Sequence, residues 1–306
     1  MYNKKLFLFG AQVHQGQPND GTDLAPQHLR TEGLKELMSN KFQQLIDCGN
    51  YFGTSPKEVK ALEQFAHHFS QALYHSLSGN QHMGLVIGGD HSCAIGTLWG
   101  ALRLNPDMKV IWVDAHADMN TLESSPSGNL HGMPLAFFLG LENKIFTNTP
   151  TLHPHQVVHI GLRDVDNAEK RFLKELDILH FSANDVHRFG INQVLQKCQK
   201  HLDPNHNSEF YLSFDTDALD PSLTPATGTP VANGLNIEQA QEIMNYFSST
   251  GRLKILELVE FNPELGQTQE VERTVNSLMQ VLSAVQSQYP ASFPLQNPSQ
   301  HIQLSH

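Results

Sequence analysis

Two short acidic segments have the residue types and the spacing of a metal-binding site. Asp114, His116 and Asp118 alternate with alanines directly after an apolar run, and Asp215 and Asp217 follow another apolar run. Alternation just past a strand end can direct the polar side chains to one side and the small alanines to the other. Carboxylates gathered at one buried place repel one another unless cations neutralise them. The two segments therefore predict bound metal ions.

Two further polar segments follow apolar runs in the same way. Gly-Gly-Asp-His-Ser at 88–92 contains His91, and Glu260 follows the run at 254–259. Mixed carboxylate and imidazole ligands favour a hard to borderline ion such as manganese over an ion that prefers thiolates. Carboxylates can also bridge two ions in the closely spaced pair of a hydrolytic two-metal site. A lone D-x-H-x-D or D-x-D motif is also compatible with a strand-end cap, so it is the joint occurrence that favours a metal site.

Eight apolar runs are predicted to be the strands that position these groups. Such runs, alternating with amphipathic segments, are typical of an α/β fold, a single three-layer domain with a mostly parallel eight-stranded sheet flanked by helices. The predicted strands are 5–9, 44–48, 84–87, 109–113, 156–160, 178–182, 210–214 and 254–259, and the predicted helices include 56–77, 166–176, 237–247 and 270–287. Ligands of parallel sheets bind outside the carboxyl ends of the strands, so we expect the polar segments at one edge.

The chain is predicted to be one domain followed by a tail. No change in composition and no internal repeat divides residues 1–288. Residues 289–306 contain prolines and much Gln and Ser, which predicts a flexible tail or an arm on a neighbouring subunit.

The overall composition narrows the classes of partner. The chain has 20 Lys and Arg against 31 Asp and Glu, a formal net charge of −11, so nucleic acid is not expected, because binding it needs a basic face. An acidic protein suits a cationic small molecule. No apolar stretch reaches membrane-spanning length, and the run at 6–9 is too short for a signal peptide. The three cysteines are widely spaced and form no CxxC motif, so we expect a reducing, cytoplasmic location.

Several long segments resemble the signature blocks of the ureohydrolase family, and of its arginase branch in particular. They are GGDHS at 88–92, DAHADMNT at 114–121, SGNLHGMP at 127–134 and SFDTDALDPSLTPATGTP at 213–230. GQPNDGTDLAPQHLR at 16–30, HIGLRDVDNAE at 159–169 and ELVEFNP at 257–263 are similar and occur in the same order. The resemblance implies the fold that this family shares with the deacetylases.

The resemblance also implies a paired metal site with two Mn²⁺ ions per subunit, for which Co²⁺ or Ni²⁺ are possible substitutes. One ion would be held by His91, Asp114, Asp118 and Asp215, and the other by Asp114, His116, Asp215 and Asp217. The implied reaction is attack of a metal-bridging hydroxide on the guanidinium carbon of L-arginine, which gives L-ornithine and urea. Asp118 would accept the proton and pass it to the departing amine.

The remaining site residues follow from the same resemblance. His131 would shuttle protons between the site and solvent, and Glu260 would pair with the substrate guanidinium, beside Thr229. The α-carboxylate would be held by Asn120, Ser125, Ser127 and Asn129, and the α-amine by Asp166 and Glu169. Polar contacts of this kind would favour arginine over agmatine, which has no carboxylate.

Other functions remain open at this point. Agmatinase, guanidinobutyrase and formimidoylglutamase use the same metal site with different recognition loops. A zinc deacetylase shares the fold but needs fewer ligands, and a thiol amidino-hydrolase would use Cys93. A non-catalytic metal-binding relative would be expected to lack a ligand or His131. The resemblance also implies a homo-oligomer, a trimer or a hexamer.

Overall fold

All eight predicted strands are present, and they pair in parallel in one sheet. The computed structural model describes residues 4–52, 59–79, 82–143, 146 and 149–287. The strands are β1 Lys5–Gln12, β2 Gln44–Phe52, β3 Met83–Gly88, β4 Lys109–Val113, β5 Val157–Leu162, β6 Leu179–Ser182, β7 Phe210–Asp215 and β8 Leu253–Val259. Their order across the sheet is β2-β1-β3-β8-β7-β4-β5-β6, and each neighbouring pair is parallel. The predicted α/β class is confirmed.

Helices cover both faces of this sheet. In the described part of the chain they are α1 Ala25–Thr31, α2 Leu34–Ser39, α3 Val59–Leu77, α4 Ala94–Leu104, α5 Pro134–Phe138, α6 Asn167–Glu175, α7 Ala183–Phe189, α8 Ile191–Leu202, α9 Ile237–Ser249 and α10 Thr268–Ser283. The apolar side chains of α1, α2 and α7 to α10 pack in the core on one face. Those of α3 to α6 pack in the core on the other face. The result is the predicted three-layer arrangement.

The apolar character of the central strands follows from this double coverage. Every residue of β3 is buried, with Leu85 and Ile87 in one core and Val86 in the other, because successive side chains of a strand point to opposite faces. Burying a side chain of this size contributes about 1.5–3 kcal/mol. A strand that is covered on both faces therefore reads as a continuous apolar run.

Among the described residues, the end of the last predicted helix differs most from the structure. The helix predicted at 270–287 ends at Ser283, because the backbone N–H of Gln286 leaves the helical pattern to donate to Ser248 Oγ of α9, at 2.8 Å. The helix predicted at 56–77 is seen from Val59, and residues 56–58 lie outside the described residues. The boundary at residue 288 and the tail at 289–306 also lie outside them, so both stay predictions.

The four central strands bring the polar segments to one edge. β3, β8, β7 and β4 are neighbours in this order. His91 follows β3, Asp114 follows β4, Asp215 ends β7 and Glu260 follows β8. The carboxyl ends of parallel strands meet at one edge, so these four side chains share the same end of the sheet. In the described residues, no helix has the length and apolar character needed to cross a bilayer.

Candidate metal centre and active site

Two groups of side chains at this edge can each hold a metal ion. The first contains His91, Asp114 and Asp118, all buried, and the second contains Asp114, His116 and Asp217. Within each group the ligand atoms lie within 4.8 Å of one another. Asp114 belongs to both groups, so its carboxylate lies between the two positions. The arrangement has the geometry of a paired site.

Two atoms that face each other closely at the first position lack hydrogen-bond partners among the described residues. His91 Nδ1 and Asp118 Oδ2 are 2.9 Å apart, and neither has a hydrogen-bond partner in the part of the chain that the structure describes. Asp215 Oδ2 lies 3.0 Å, and Asp114 Oδ2 3.2 Å, from the same nitrogen. Buried polar atoms without partners are costly, and converging carboxylate and imidazole atoms fit a hard to borderline divalent cation. The six predicted ligands therefore come together and fit the predicted ions.

Aromatic and hydroxyl groups orient the first histidine. His91 Nε2 lies 2.8 Å from Ser213 Oγ, and its ring stacks on Trp112 with ring centroids 4.3 Å apart. Trp112 Nε1 in turn donates to Asp114 Oδ2 at 3.1 Å. Partners behind a ligand fix its ring orientation and its free nitrogen. His91 Nδ1 is thereby directed at the carboxylates.

Local turns explain the spacing of the acidic segments. The backbone N–H of His116 donates to Asp114 Oδ1 at 2.7 Å, and that of Asp217 donates to Asp215 Oδ1 at 2.8 Å. In each case an aspartate caps the backbone two residues on. Asp118 has a φ of 53°, a left-handed conformation that a residue other than glycine rarely adopts. Such strain is found at sites that the surrounding structure holds in place.

His131 and Glu260 form a partly buried ion pair beside the first metal position. His131 Nδ1 lies 3.1 Å from Glu260 Oε1, which also accepts from the backbone N–H of His91 at 2.7 Å. Gln17 Nε2 donates to Glu260 Oε2 at 2.5 Å. Burial disfavours the charge on His131, but the hydrogen bond and charge of Glu260 outweigh it and raise the pKa of His131 to about 9. Burial likewise opposes the charge on Glu260, and His131 lowers its pKa overall.

Four of the six predicted metal ligands and most of the predicted substrate residues surround one cavity, while Asp114 and Asp217 lie behind its wall. It is lined by His91, His116, Asp118, Asn120, Ser125, Ser127, Asn129, His131, Gly132, Asp164, Asp166, Glu169, Asp215 and Thr229. Predicted metal ligands form one part of its wall, and mainly hydroxyl, amide and carboxylate groups form the rest. Glu260, only 1% exposed, does not line the cavity, and both of its carboxylate oxygens are engaged by protein donors. The predicted bidentate pairing with a guanidinium therefore requires Glu260 to exchange these partners.

The residues predicted to bind the α-amine lie in the wall of the cavity and hydrogen-bond to the segment after β4. Asp166 precedes α6 and accepts from Asn120 Nδ2 at 2.8 Å. Glu169 accepts from the backbone N–H groups of Met119 and Asp166, both at 3.0 Å. Burial raises the pKa of Glu169 to about 7, against these two hydrogen bonds. Asp166 and Glu169 therefore link the segment after β4 to the start of α6.

The predicted carboxylate-binding hydroxyls are turned towards their own loop. Ser125 Oγ accepts from the backbone N–H of Gly128 at 3.0 Å, and Ser127 Oγ accepts from that of Asn129 at 3.2 Å. A hydroxyl that accepts one such bond still carries a hydrogen to donate. Thr229 Oγ1, by contrast, donates to Asp217 Oδ2 at 2.9 Å, so Thr229 orients the carboxylate of a predicted metal ligand.

Besides Gly132 in the cavity wall, four residues at the site were not among the predicted ones. Trp112 and Ser213 lie behind the ligands, Gln17 holds Glu260, and Asp164 lines the cavity with its Oδ2 3.9 Å from His116 Nε2. Gln17 and Asp164 lie in the segments 16–30 and 159–169, whose resemblance to the family could have indicated them as site residues. Nothing in the spacing of Trp112 or Ser213 distinguishes them from ordinary strand residues.

Comparison with known proteins decides the family. The model of the Arginase family matches residues 4–285. This chain belongs to the arginase family. It is 39% identical to Arginase-1 of Homo sapiens over 303 residues, which cover 92% of each chain. The predicted membership is confirmed, and the chain is a hydrolase of this family.

Solved structures agree with this assignment. The arginase from Bacillus cereus superposes with a TM-score of 0.84 at 30% identity, covering 92% of this chain and 98% of that chain. The Entamoeba histolytica arginase in complex with L-ornithine gives a TM-score of 0.82 at 28% identity, covering 92% of this chain and 99% of that chain. The predicted arginase-like fold is therefore confirmed.

Proposed function

We propose that the chain is a binuclear manganese arginase that hydrolyses L-arginine to L-ornithine and urea. The observation that carries this proposal is the composition of the single cavity described above. Two potential metal positions lie at one part of its wall, and amides, hydroxyls and carboxylates that can bind an amino-acid head group form the remainder. L-Arginine carries a guanidinium at one end and a charged α-amine and α-carboxylate at the other, so it matches both parts.

The metal ligands have a defined task in this proposal. Two divalent ions, when bound, supply the positive charge that makes a water molecule acidic and nucleophilic at neutral pH. Asp114 belongs to both groups and would bind both ions. Asp215, at the end of β7 and 3.0 Å from His91 Nδ1, would add a further carboxylate ligand. Asp118 lines the cavity, where its carboxylate can accept a proton and return it to the departing amine.

His131 and Glu260 supply a second route for protons. His131 lines the cavity, while Glu260 holds its Nδ1 from the buried side. The raised pKa of His131 keeps a proton on the ring near neutral pH. His131 can therefore deliver protons to the leaving group and recover them from solvent. Glu260 adds negative charge near the place where the guanidinium would lie.

The rest of the wall favours an α-amino acid. Asn120 and Asn129, with the hydroxyls of Ser125 and Ser127, present hydrogen-bonding groups for a carboxylate. Asp166, together with Glu169, faces the α-amine. A buried polar site discriminates strongly against a ligand that leaves its groups unpaired. Agmatine and guanidinobutyrate each lack one of the two head groups.

Formimidoylglutamate is disfavoured for an electrostatic reason. It carries two carboxylates, whereas the wall of the cavity away from the metal positions contains the carboxylates of Asp164 and Asp166. Like charges in a confined site repel each other. A formimidoylglutamase would need cationic side chains there, and the cavity wall has only the histidines near the metal positions.

A substrate panel tests this proposal. The chain is loaded with Mn²⁺, and in parallel with Co²⁺ or Ni²⁺, and hydrolysis of arginine, agmatine, guanidinobutyrate and formimidoylglutamate is measured. We expect arginine to have the highest kcat/KM. A preference for agmatine would overturn the assignment of substrate while leaving the metal site intact. The cytoplasmic location and a trimeric or hexameric assembly stay predictions, and sedimentation velocity would test the assembly.

A further inference from the structure

A row of side chains crosses the sheet one step below the proposed metal ligands. Cross-strand pairing aligns Ser213 of β7 with Trp112 of β4, and Trp112 with His159 of β5. Two members of this row already support the site, since Ser213 contacts His91 Nε2 and Trp112 donates to Asp114. His159 is the next side chain in the same row, and it has no part in the mechanism above.

His159 makes a single hydrogen bond from a fully buried position. Its side chain is 0% exposed, and its Nε2 lies 3.0 Å from the carbonyl oxygen of Ala117. A carbonyl can only accept, so Nε2 carries the hydrogen. Nδ1 is buried without a hydrogen-bond partner in the described residues. Burying an imidazole with one nitrogen unsatisfied costs stability. The hydrogen bond from Nε2 is the interaction of His159 that can offset this cost through a role at the site.

The carbonyl that His159 holds belongs to the peptide group before Asp118. A peptide group is planar, so fixing the Ala117 carbonyl also fixes the direction of the Asp118 N–H and the starting point of its φ rotation. Asp118 occupies the left-handed region with a φ of 53°, which is unfavourable for a residue other than glycine. Without an external contact, the segment would relax towards a commoner conformation and move the carboxylate away from His91.

The neighbouring carbonyls of the segment are held by backbone groups instead. Ala115 O accepts from the N–H groups of Arg163 and Asp164, at 2.9 and 3.0 Å, and Asp118 O accepts from the N–H of Leu135 at 3.1 Å. These contacts depend little on side-chain identity. At Ala117, by contrast, the contact comes from a side chain, so a substitution can remove it.

We propose that His159 is a positioning residue for the segment 114–118. Its Nε2–H holds the Ala117 carbonyl and so keeps Asp118 in the conformation that directs its carboxylate at His91. The inference rests on the proposed function in one respect, because it takes Asp118 as a metal ligand. It does not depend on the identity of the substrate.

The test compares two replacements of His159 with a matched control. His159→Leu removes the hydrogen bond at similar size, and His159→Gln keeps an amide donor on a side chain of comparable reach. The control is His180→Leu, because His180 pairs with His159 across β5 and β6 but is exposed and bonds only the nearby Ile178 carbonyl. Mn²⁺ affinity is measured by calorimetry, and the coupling of the ion pair by electron paramagnetic resonance. Circular dichroism checks the fold.

We expect His159→Leu to weaken Mn²⁺ binding by about 10- to 100-fold, the range seen for partners behind metal ligands. The spin-coupled signal should fall at stoichiometric Mn²⁺, His159→Gln should recover most of the affinity, and His180→Leu should match the wild type. In the arginine assay, kcat should fall more than KM rises.

Equal Mn²⁺ affinity in the wild type and in folded His159→Leu would overturn the role of His159. So would a folded His159→Gln variant as weak as His159→Leu, since packing alone would then explain the loss. If His159→Leu does not fold, nitrogen NMR of the wild-type imidazole decides, because a hydrogen on Nδ1 overturns the inference and one on Nε2 supports it. A wild-type chain that binds Mn²⁺ but does not hydrolyse arginine would refute the proposed substrate alone. A chain that binds no divalent metal would refute both proposals.

Discussion

The ion pair between His131 and Glu260 can be measured in the metal-free chain. The side chain of His131 is 16% exposed and that of Glu260 is 1% exposed, and their Nδ1 and Oε1 atoms are 3.1 Å apart. The perturbation is a double-mutant cycle with His131→Gln, Glu260→Gln and the double variant. Because other groups at the site also titrate, the coupling free energy between the two residues is the quantity to follow.

The size of this coupling follows from the pKa of His131. Burial alone would lower that pKa below its ordinary value of 6.5, yet the hydrogen bond and charge of Glu260, with smaller contributions from the charges of Asp90 and Asp118, raise it to about 9. Each pK unit corresponds to about 1.4 kcal/mol, so the pair should stabilise the folded chain by about 3 kcal/mol. A raised histidine pKa gives stability that is fully present below pH 6.5 and is lost as the pH rises through about 9. The lowered pKa of Glu260 means that its contribution is lost on the acid side, below its ordinary pKa of 4.5.

Urea denaturation of the chelator-treated proteins supplies the free energies of unfolding. At about pH 6 the cycle should give a coupling of roughly 2–3 kcal/mol, and at about pH 10.5 it should give less than roughly 0.5 kcal/mol. A coupling of the same size at both pH values would show that the interaction does not involve a charged His131. A negligible coupling at about pH 6 would refute the ion pair itself.

Three further predictions concern the metal site. Asp118→Asn should lower kcat by roughly 10²–10⁴-fold with little change in the circular dichroism spectrum, and near-normal turnover would remove Asp118 from the mechanism. Thr229→Val should weaken binding of the second Mn²⁺ by about 10-fold, because it removes the donor to Asp217 Oδ2; unchanged calorimetry would show that this hydrogen bond is dispensable. Chelation should abolish activity and lower Tm, and Mn²⁺ at about 100 times its Kd should restore about 2.7 kcal/mol of stability. A Tm that is independent of Mn²⁺ would contradict that prediction.

The sequence was informative where local patterns determine the structure. Apolar runs predicted all eight strands, because strands covered on both faces must be apolar throughout. The spacing of Asp114 and His116, and that of Asp215 and Asp217, predicted clustered polar groups, because each first aspartate caps the second residue's backbone N–H. Because the carboxyl ends of parallel strands lie at one edge of the sheet, the parallel arrangement alone predicts that these segments meet there.

Contacts between distant segments could not be predicted in the same way. Gln17 and Glu260 are far apart in the sequence, and only the folded chain brings them within hydrogen-bond distance. For the same reason, the sequence did not predict that Glu260 is buried and that its carboxylate oxygens accept hydrogen bonds from Gln17 and His91. His159 reads as one more residue of a buried strand, and its contact with Ala117 depends on how the loop after β4 folds back over β5. Spacing contains no information on such contacts.

The most direct test of a binuclear arginase is urea release from L-arginine measured against the number of Mn²⁺ ions bound per chain. The metal-free protein is titrated with Mn²⁺, the bound ions are counted after desalting, and the initial rate is recorded at saturating arginine. We expect the rate to rise until two ions are bound and then to stay constant, because Asp114 links two ligand groups that act together. A plateau at one ion, or no urea at any metal content, would contradict the account.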